Sequence, residues 1–230
     1  MTAGFKSTEG GILMRRLLAL TGICFGLVSL AWAVPAPNQG FIYINLQSKA
    51  NHKLKDQFHD NAFTNNNLGS LPQGLQKFEG VPFKIGENFI QLSGQRLKTR
   101  PQKIEGIKVD KKFGQLHILH ATGWFAEEDA LVGEYTIHYE DKTKETIPIV
   151  YGKDVRDWWY YKDSPGVSRG QVAWEGDNEG AKSAQGRIRL YLSTWKNPKP
   201  DKKVLSIDYS SKNTNAAPFC VAMTIEEKKK

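Results

Sequence analysis

Cysteine is almost missing from this chain, with two in 230 residues. Cys24 lies in a leading apolar segment that reads as removable, which leaves Cys220 alone between Phe219 and Val221. No intrachain disulfide can then form, and a buried, unreactive thiol is the default for Cys220. Helical periodicity is scarce as well. No window keeps apolar residues at i, i+3, i+4 and i+7 long enough for a substantial helix. Ala50–Phe58 is the one stretch that allows a short one. The chain carries no internal repeat, no low-complexity linker and no compositional break that would mark a second domain. An H-E-x-x-H pair and a C-x-x-C pair are missing, and no nucleophile elbow is expected, which excludes the simplest routes to a zinc protease, a dithiol redox protein or a serine hydrolase.

What is there begins with a basic start at Met14-Arg15-Arg16, an apolar run from Leu17, and a small-x-small exit at Ala31-Trp32-Ala33. That order is the signature of a secretory signal peptide. Its apolar core is shorter than the roughly 20 residues of a spanning helix, and Pro35 and Pro37 follow at once. We expect cleavage after Ala33, with Met14 as an alternative initiator, and no transmembrane anchor in the mature chain. Ile23 is too large for the position before a lipoprotein cysteine. The site of action is therefore periplasmic or extracellular, away from ATP and NADH. Removing residues 1–33 takes three cations and one acid and lowers the net charge from +8 to +6. A basic surface of that size favours polyanions such as acidic polysaccharide or an anionic envelope. Its lysines are scattered among acids, so nucleic acid is not expected as a partner.

The mature chain alternates apolar and polar residues wherever it is apolar. Tyr135-Thr136-Ile137-His138-Tyr139-Glu140 has one apolar face, Asp141-Lys142-Thr143-Lys144 supplies a turn, and Ile147 and Ile149 resume the pattern. That is a hairpin. Arg187–Leu192 places Ile188, Leu190 and Leu192 inward, and Phe219, Val221, Met223 and Ile225 make a last strand. Further strands are expected at Phe41–Leu46, Phe78–Ile85, Phe89–Leu92, Ile104–Val109, Leu116–Ala121, Gln171–Trp174 and Val204–Tyr209. The expectation is an all-β protein, an antiparallel β-sandwich with jelly-roll connections, over residues 34–226, with a charged tail at 227–230.

Chemistry-bearing residues are few. His117 and His120 are three apart on an expected strand, so they point to opposite faces and cannot share a metal. Acids cluster at Glu127-Glu128-Asp129, at Asp154 with Asp157, and at Glu175 with Asp177 and Glu179, all beside turn residues. A glycosidase needs two such carboxylates facing each other. The Asp/Asn-rich stretches Asp56–Asn67 and Asp177-Asn178-Glu179 offer oxygen ligands for a structural Ca²⁺, without the spacing of an EF-hand. No other cofactor is expected. Aromatic residues are the stronger signal: Trp124, Trp158, Trp159, Tyr160, Tyr161, Trp174, Tyr191 and Trp195 crowd the second half. Indole faces pack on the C–H faces of sugar rings, and Asn, Asp, Arg or Gln at their rims bind the hydroxyls. On the strand through Arg187–Trp195, residues Arg187, Arg189, Tyr191, Ser193 and Trp195 share the face opposite the aliphatics. Candidate carbohydrate-binding residues are thus Trp124, Trp158, Trp159, Tyr161, Trp174, Asn178, Arg189, Tyr191, Trp195 and Asn197, set against packing between sheets as the ordinary role of a tryptophan.

Longer segments carry a resemblance. Leu75–Phe83, Leu116–Thr122, Val132–Tyr135, Ile147-Pro148-Ile149-Val150-Tyr151-Gly152-Lys153-Asp154-Val155-Arg156-Asp157-Trp158-Trp159 and Arg189–Pro198 recur in this order in a bacterial family of β-sandwich modules, secreted alone or appended to larger envelope proteins. The chain resembles that family over residues 40–225. The family is itself largely uncharacterised and is similar in outline to galactose-binding-like, jelly-roll carbohydrate-binding domains. The resemblance implies the fold, carries a sugar-binding label that rests on fold analogy, and assigns no binding residue. The leading expectation is an exported carbohydrate-binding module. The alternatives are a structural or protein-interaction module of the cell envelope, with an envelope protein as partner, and a glycoside hydrolase.

Overall fold

Strands form where inward aliphatic or aromatic side chains alternate with polar ones, and turns form where the backbone needs a positive φ. The computed structural model describes residues 40–58 and 63–228. The expected signal peptide and its cleavage site lie outside the described residues. The described chain runs β1 (Phe41–Ile44), β2 (His52–Lys53), β3 (Gly74–Phe78), β4 (Val81–Ile85), β5 (Asn88–Gln91), β6 (Lys103–Lys111) and β7 (Gln115–Gly123). It continues through β8 (Leu131–Tyr139), β9 (Lys144–Val150), β10 (Trp159–Tyr160), β11 (Gln171–Gly176), α1 (Glu179–Ser183), β12 (Arg187–Lys196), β13 (Val204–Ser211) and β14 (Ala217–Glu226). The protein is all-β with antiparallel sheets and one short helix among the described residues. None of its described helices is long and apolar enough to cross a membrane.

An eight-stranded sheet has the order β10-β12-β7-β14-β5-β2, with β1 added on β14 and β11 on β12. It curls into a half-barrel. β14 pairs with β7 along its whole length, from Ala217↔Gly123 to Glu226↔Gln115. Its other edge is shared end to end by β1 (Ile44↔Met223) and β5 (Phe219↔Gln91). A four-stranded sheet has the order β6-β13-β8-β9. It turns the buried Tyr135, Ile137 and Tyr139 of β8, with Ile207 and Tyr209 of β13, away from solvent. Phe58, Phe89, Trp158 and Phe219 make one aromatic cluster, with neighbouring ring centroids 4.5 to 6.2 Å apart.

The β8–β9 hairpin is as the alternation predicts. Asp141 accepts from the Thr143 amide at 3.0 Å, and Lys142 takes φ +67°. The single strand expected over Phe78–Ile85 is instead a hairpin, β3–β4. Glu79 and Gly80, at φ +48° and +82°, make the two-residue turn, which needs positive φ at both positions. No helix forms at Ala50–Phe58, where β2 and its flanking turns lie among the described residues. The helix forms later, at α1, where the Asn178 side chain accepts from the Ala181 amide at 2.7 Å. The expected charged tail is tied down in part, since Glu227 donates to the Gly40 carbonyl at 2.7 Å and Lys228 meets Asp201 at 2.9 Å.

Trp158 sits inside the aromatic cluster, so Trp158→Ala should cost about 3–5 kcal/mol of stability. Tyr161→Ala, at a side chain 49% exposed, should stay within about 0.5 kcal/mol. Urea midpoints of the two variants against the parent check both values.

Candidate functional site

β7 and β12 lie side by side, with Ile118 opposite Ser193 and Tyr191 opposite His120. Period-two geometry sends Ile118 and His120 of β7, and Ser193 and Trp195 of β12, to one face. The β8–β9 hairpin and the loops carrying Asp154 and Arg169 close over that face. Together they wall a cleft of about 150 Å³, with Tyr135, Ile147, Pro148 and Ile149 as its apolar side.

His120 is the polar centre of the cleft. Its Nε2 lies 2.8 Å from Ser193 Oγ and its Nδ1 lies 3.3 Å from Tyr135 Oη. Burial pushes the imidazole down to about 4, with the Asp154 carboxylate opposing the shift. The ring is therefore neutral at pH 7, with one nitrogen donating and the other accepting. One of the two hydroxyls must donate to it and the other accept. Asp154 accepts from Arg169 Nε and Nη2, both at 2.6 Å, and from the Val150 amide at 2.7 Å. That bidentate pair fixes a polar rim, and Arg169 keeps half of its side chain in solvent. The Trp195 indole stands over the mouth, half-buried.

His117 is on the opposite face of β7, as strand geometry requires. Its Nδ1 is 2.8 Å from Thr194 Oγ1, and its Nε2 is 3.5 Å from Glu226. Among the described residues, no three His, Cys, Asp or Glu side chains come together as a metal site would need. Of the stretches considered for Ca²⁺, residues 59–62 lie outside the described residues. In the other, Asn178 caps α1 and donates to Asn66 and Asn67, while Asp177 pairs with Lys182.

The ten candidate ligand residues do not form one platform. Trp195 alone of them lines the cleft. Trp158 and Tyr191 are buried in the core and are not surface residues. Arg189 is buried too, with its guanidinium 4.8 Å from the Tyr160 ring centroid and 5.2 Å from that of Tyr191. Asn197 is structural: it accepts from Tyr139 Oη at 2.6 Å and donates to the Phe113 carbonyl at 2.9 Å. Asn178 is held by its helix cap. Trp159 donates Nε1 to Asn66 at 3.0 Å, and its ring packs 4.9 Å from that of Phe63. Trp124 and Trp174 are half-buried, and Tyr161 is exposed. The outward face expected for Arg189 and Tyr191 is covered, because the curled sheet has packed material on both sides at this strand.

His120, Ser193, Tyr135, Asp154 and Arg169 are the cleft residues that sequence reasoning did not assemble. The usable signal was the shared face of Ser193 and Trp195; the pairing of β12 with β7 has none. Gly166-Val167-Ser168-Arg169-Gly170 does spell G-x-S-x-G, although no elbow was expected. It lies in the loop between β10 and β11 and leads into a strand, whereas a nucleophile elbow leads into a helix. Its Arg169 serves the cleft instead. No protein-family model matches the chain, and no curated protein matches it, so no family is identified and the resemblance rests on its quoted segments.

The depressed His120 pKa has a definite sign. An unfolded chain takes up this proton near pH 6.5 and the folded one near 4, so His120's contribution to stability is complete above 6.5 and falls as pH drops through that window. Asp157 acts in the opposite direction: burial raises its carboxyl to about 7, so its contribution is lost as pH rises from about 4 to 7. The stability advantage of the parent over His120→Asn should therefore shrink between about pH 7 and pH 4.5. Urea midpoints measured across that range test this, and an advantage independent of pH would contradict a neutral, desolvated His120.

Proposed function

We propose that this chain is an exported, non-catalytic module that acts in the periplasm or outside the cell. In this reading it is a jelly-roll, galactose-binding-like β-sandwich that holds a carbohydrate group in the cleft under Trp195. The observation carrying it is the composition of that cleft: a flat indole beside a neutral His120–Ser193–Tyr135 relay and a fixed Asp154–Arg169 rim. A sugar ring needs this pairing, an apolar surface for its C–H face and fixed donors and acceptors for its hydroxyls. The cleft, at about 150 Å³, is half the lower bound of the roughly 300–1,000 Å³ common for ligand pockets. It suits one ring at a chain end, with weak binding.

The glycosidase alternative is disfavoured on chemistry. It needs two carboxylates across a cleft, and Asp154 is the one carboxylate among the lining residues, already engaged by Arg169 and the Val150 amide. The envelope-protein alternative draws support from Phe125, 57% exposed beside a shallow hollow with Arg96 and Asn215.

Trp195→Ala should weaken binding to a retained glycan about tenfold, read on a glycan array and by calorimetry, while Tyr161→Ala leaves it unchanged. Absence of retention on every glycan, or equal binding by Trp195→Ala, would remove the carbohydrate reading.

A further inference from the structure

Among the edge strands of the described fold, β1 and β6 come close to each other. β1 pairs with β14 alone, and β6 pairs with β13 alone. They border a groove of about 430 Å³, with Ile42–Asn45 on one wall and Lys108–Lys111 on the other. This groove is an open trough between the two strand edges.

The register of β6 breaks at this wall. Lys111 faces Val204 and Lys108 faces Ser206, three steps on β6 against two on β13, and Asp110 takes φ +56°. An extra residue of this kind re-aims side chains. Lys108 and Lys111 both line the groove, although three apart on a regular strand they would part to opposite faces. Asp110, the acid in this wall, is neutralised by Lys203. Lys108 and Lys111 have no carboxylate at ion-pair distance among the described residues.

We infer that this trough is a second site, which takes an extended polyanionic polysaccharide. Its carboxylate or sulfate groups lie against Lys108 and Lys111. Lysines across an open edge oppose addition of a protein strand, which would have to bury them. A hydrated anionic chain meets them without that cost. The trough shares no lining residue with the Trp195 cleft, and the inference stands apart from the reading of that cleft.

The test is affinity electrophoresis of the full chain through gels containing polygalacturonate or neutral dextran. The parent should be retarded by polygalacturonate, less so as salt shortens the range of charge attraction. Lys108→Gln/Lys111→Gln should bind about fivefold more weakly. Lys142→Gln/Lys144→Gln removes the same charge from the β8–β9 turn and should change binding by less than about twofold. Equal losses in the two double variants would mean general attraction to a basic protein and would overturn the site. Unretarded parent, or a Lys108/Lys111 variant that binds like the parent, would overturn it too. Trp195→Ala separates the two readings, since it should leave polygalacturonate retardation intact.

Discussion

Burial of β7 and β14 on both faces is the constraint from which the rest of the structure follows. Every residue from Leu116 to Gly123 and from Ala217 to Ile225 is buried. An antiparallel sheet with one wet face would leave alternate positions in water. Here each polar side chain on the central pair must find a partner inside the protein, because an unsatisfied buried group costs about 1–3 kcal/mol. Thr224 donates to the Pro82 carbonyl, Thr122 to the Trp124 carbonyl, and the two histidines meet Thr194 and Ser193 on the neighbouring strand. Three of these four side chains thus bond to another strand, and Thr122 bonds at the end of its own strand.

The cleft arises from one of those pairs. His117 is buried on one face, between Thr194 and Glu226. His120 and Ser193, on the other, meet a covering sheet that does not close completely. The difference lies in the cover. Trp195 and Pro148 line the gap between the β9 hairpin and the strand face, and Asp154 is anchored to a backbone amide and to Arg169. A partly covered pair of neutral donors and acceptors, with an indole at its mouth, is a place where a polyol can replace water without a charge being moved. Full cover would make the same residues core, as happened to His117 on the other face.

Much of the strand pattern was legible because its cause is local. Alternation in Tyr135–Tyr139 and the Asp141–Thr143 turn specify a hairpin within a dozen residues, and the structure has it. The β3–β4 turn was missed because Glu79 adopts a left-handed backbone conformation that its side chain does nothing to advertise. The aromatic platform was misjudged for a different reason. Alternation separates two faces but carries no information on whether the second is covered. Arg189 and Tyr191 are as far from the aliphatics of β12 as expected, and they are buried all the same, under Tyr160 and the Pro165 carbonyl.

Residue spacing shows the limit most clearly. His117 and His120 are three apart on a regular strand and part to opposite faces, so the prediction from spacing holds. Lys108 and Lys111 are also three apart, and both border one groove. The two cases differ in a single residue of register: β7 keeps step with β12 from Gln115 to His120, whereas β6 inserts one residue against β13 between Lys108 and Lys111. A bulge depends on what the neighbouring strand demands, and the neighbour here, Val204–Ser206, lies more than ninety residues away in sequence. Periodicity read from one strand therefore finds sites built on regular ladders and passes over those built at an irregular edge. Open edges, where a ladder has no second partner to enforce its step, are where irregularity costs least and where charged side chains can be gathered on one side.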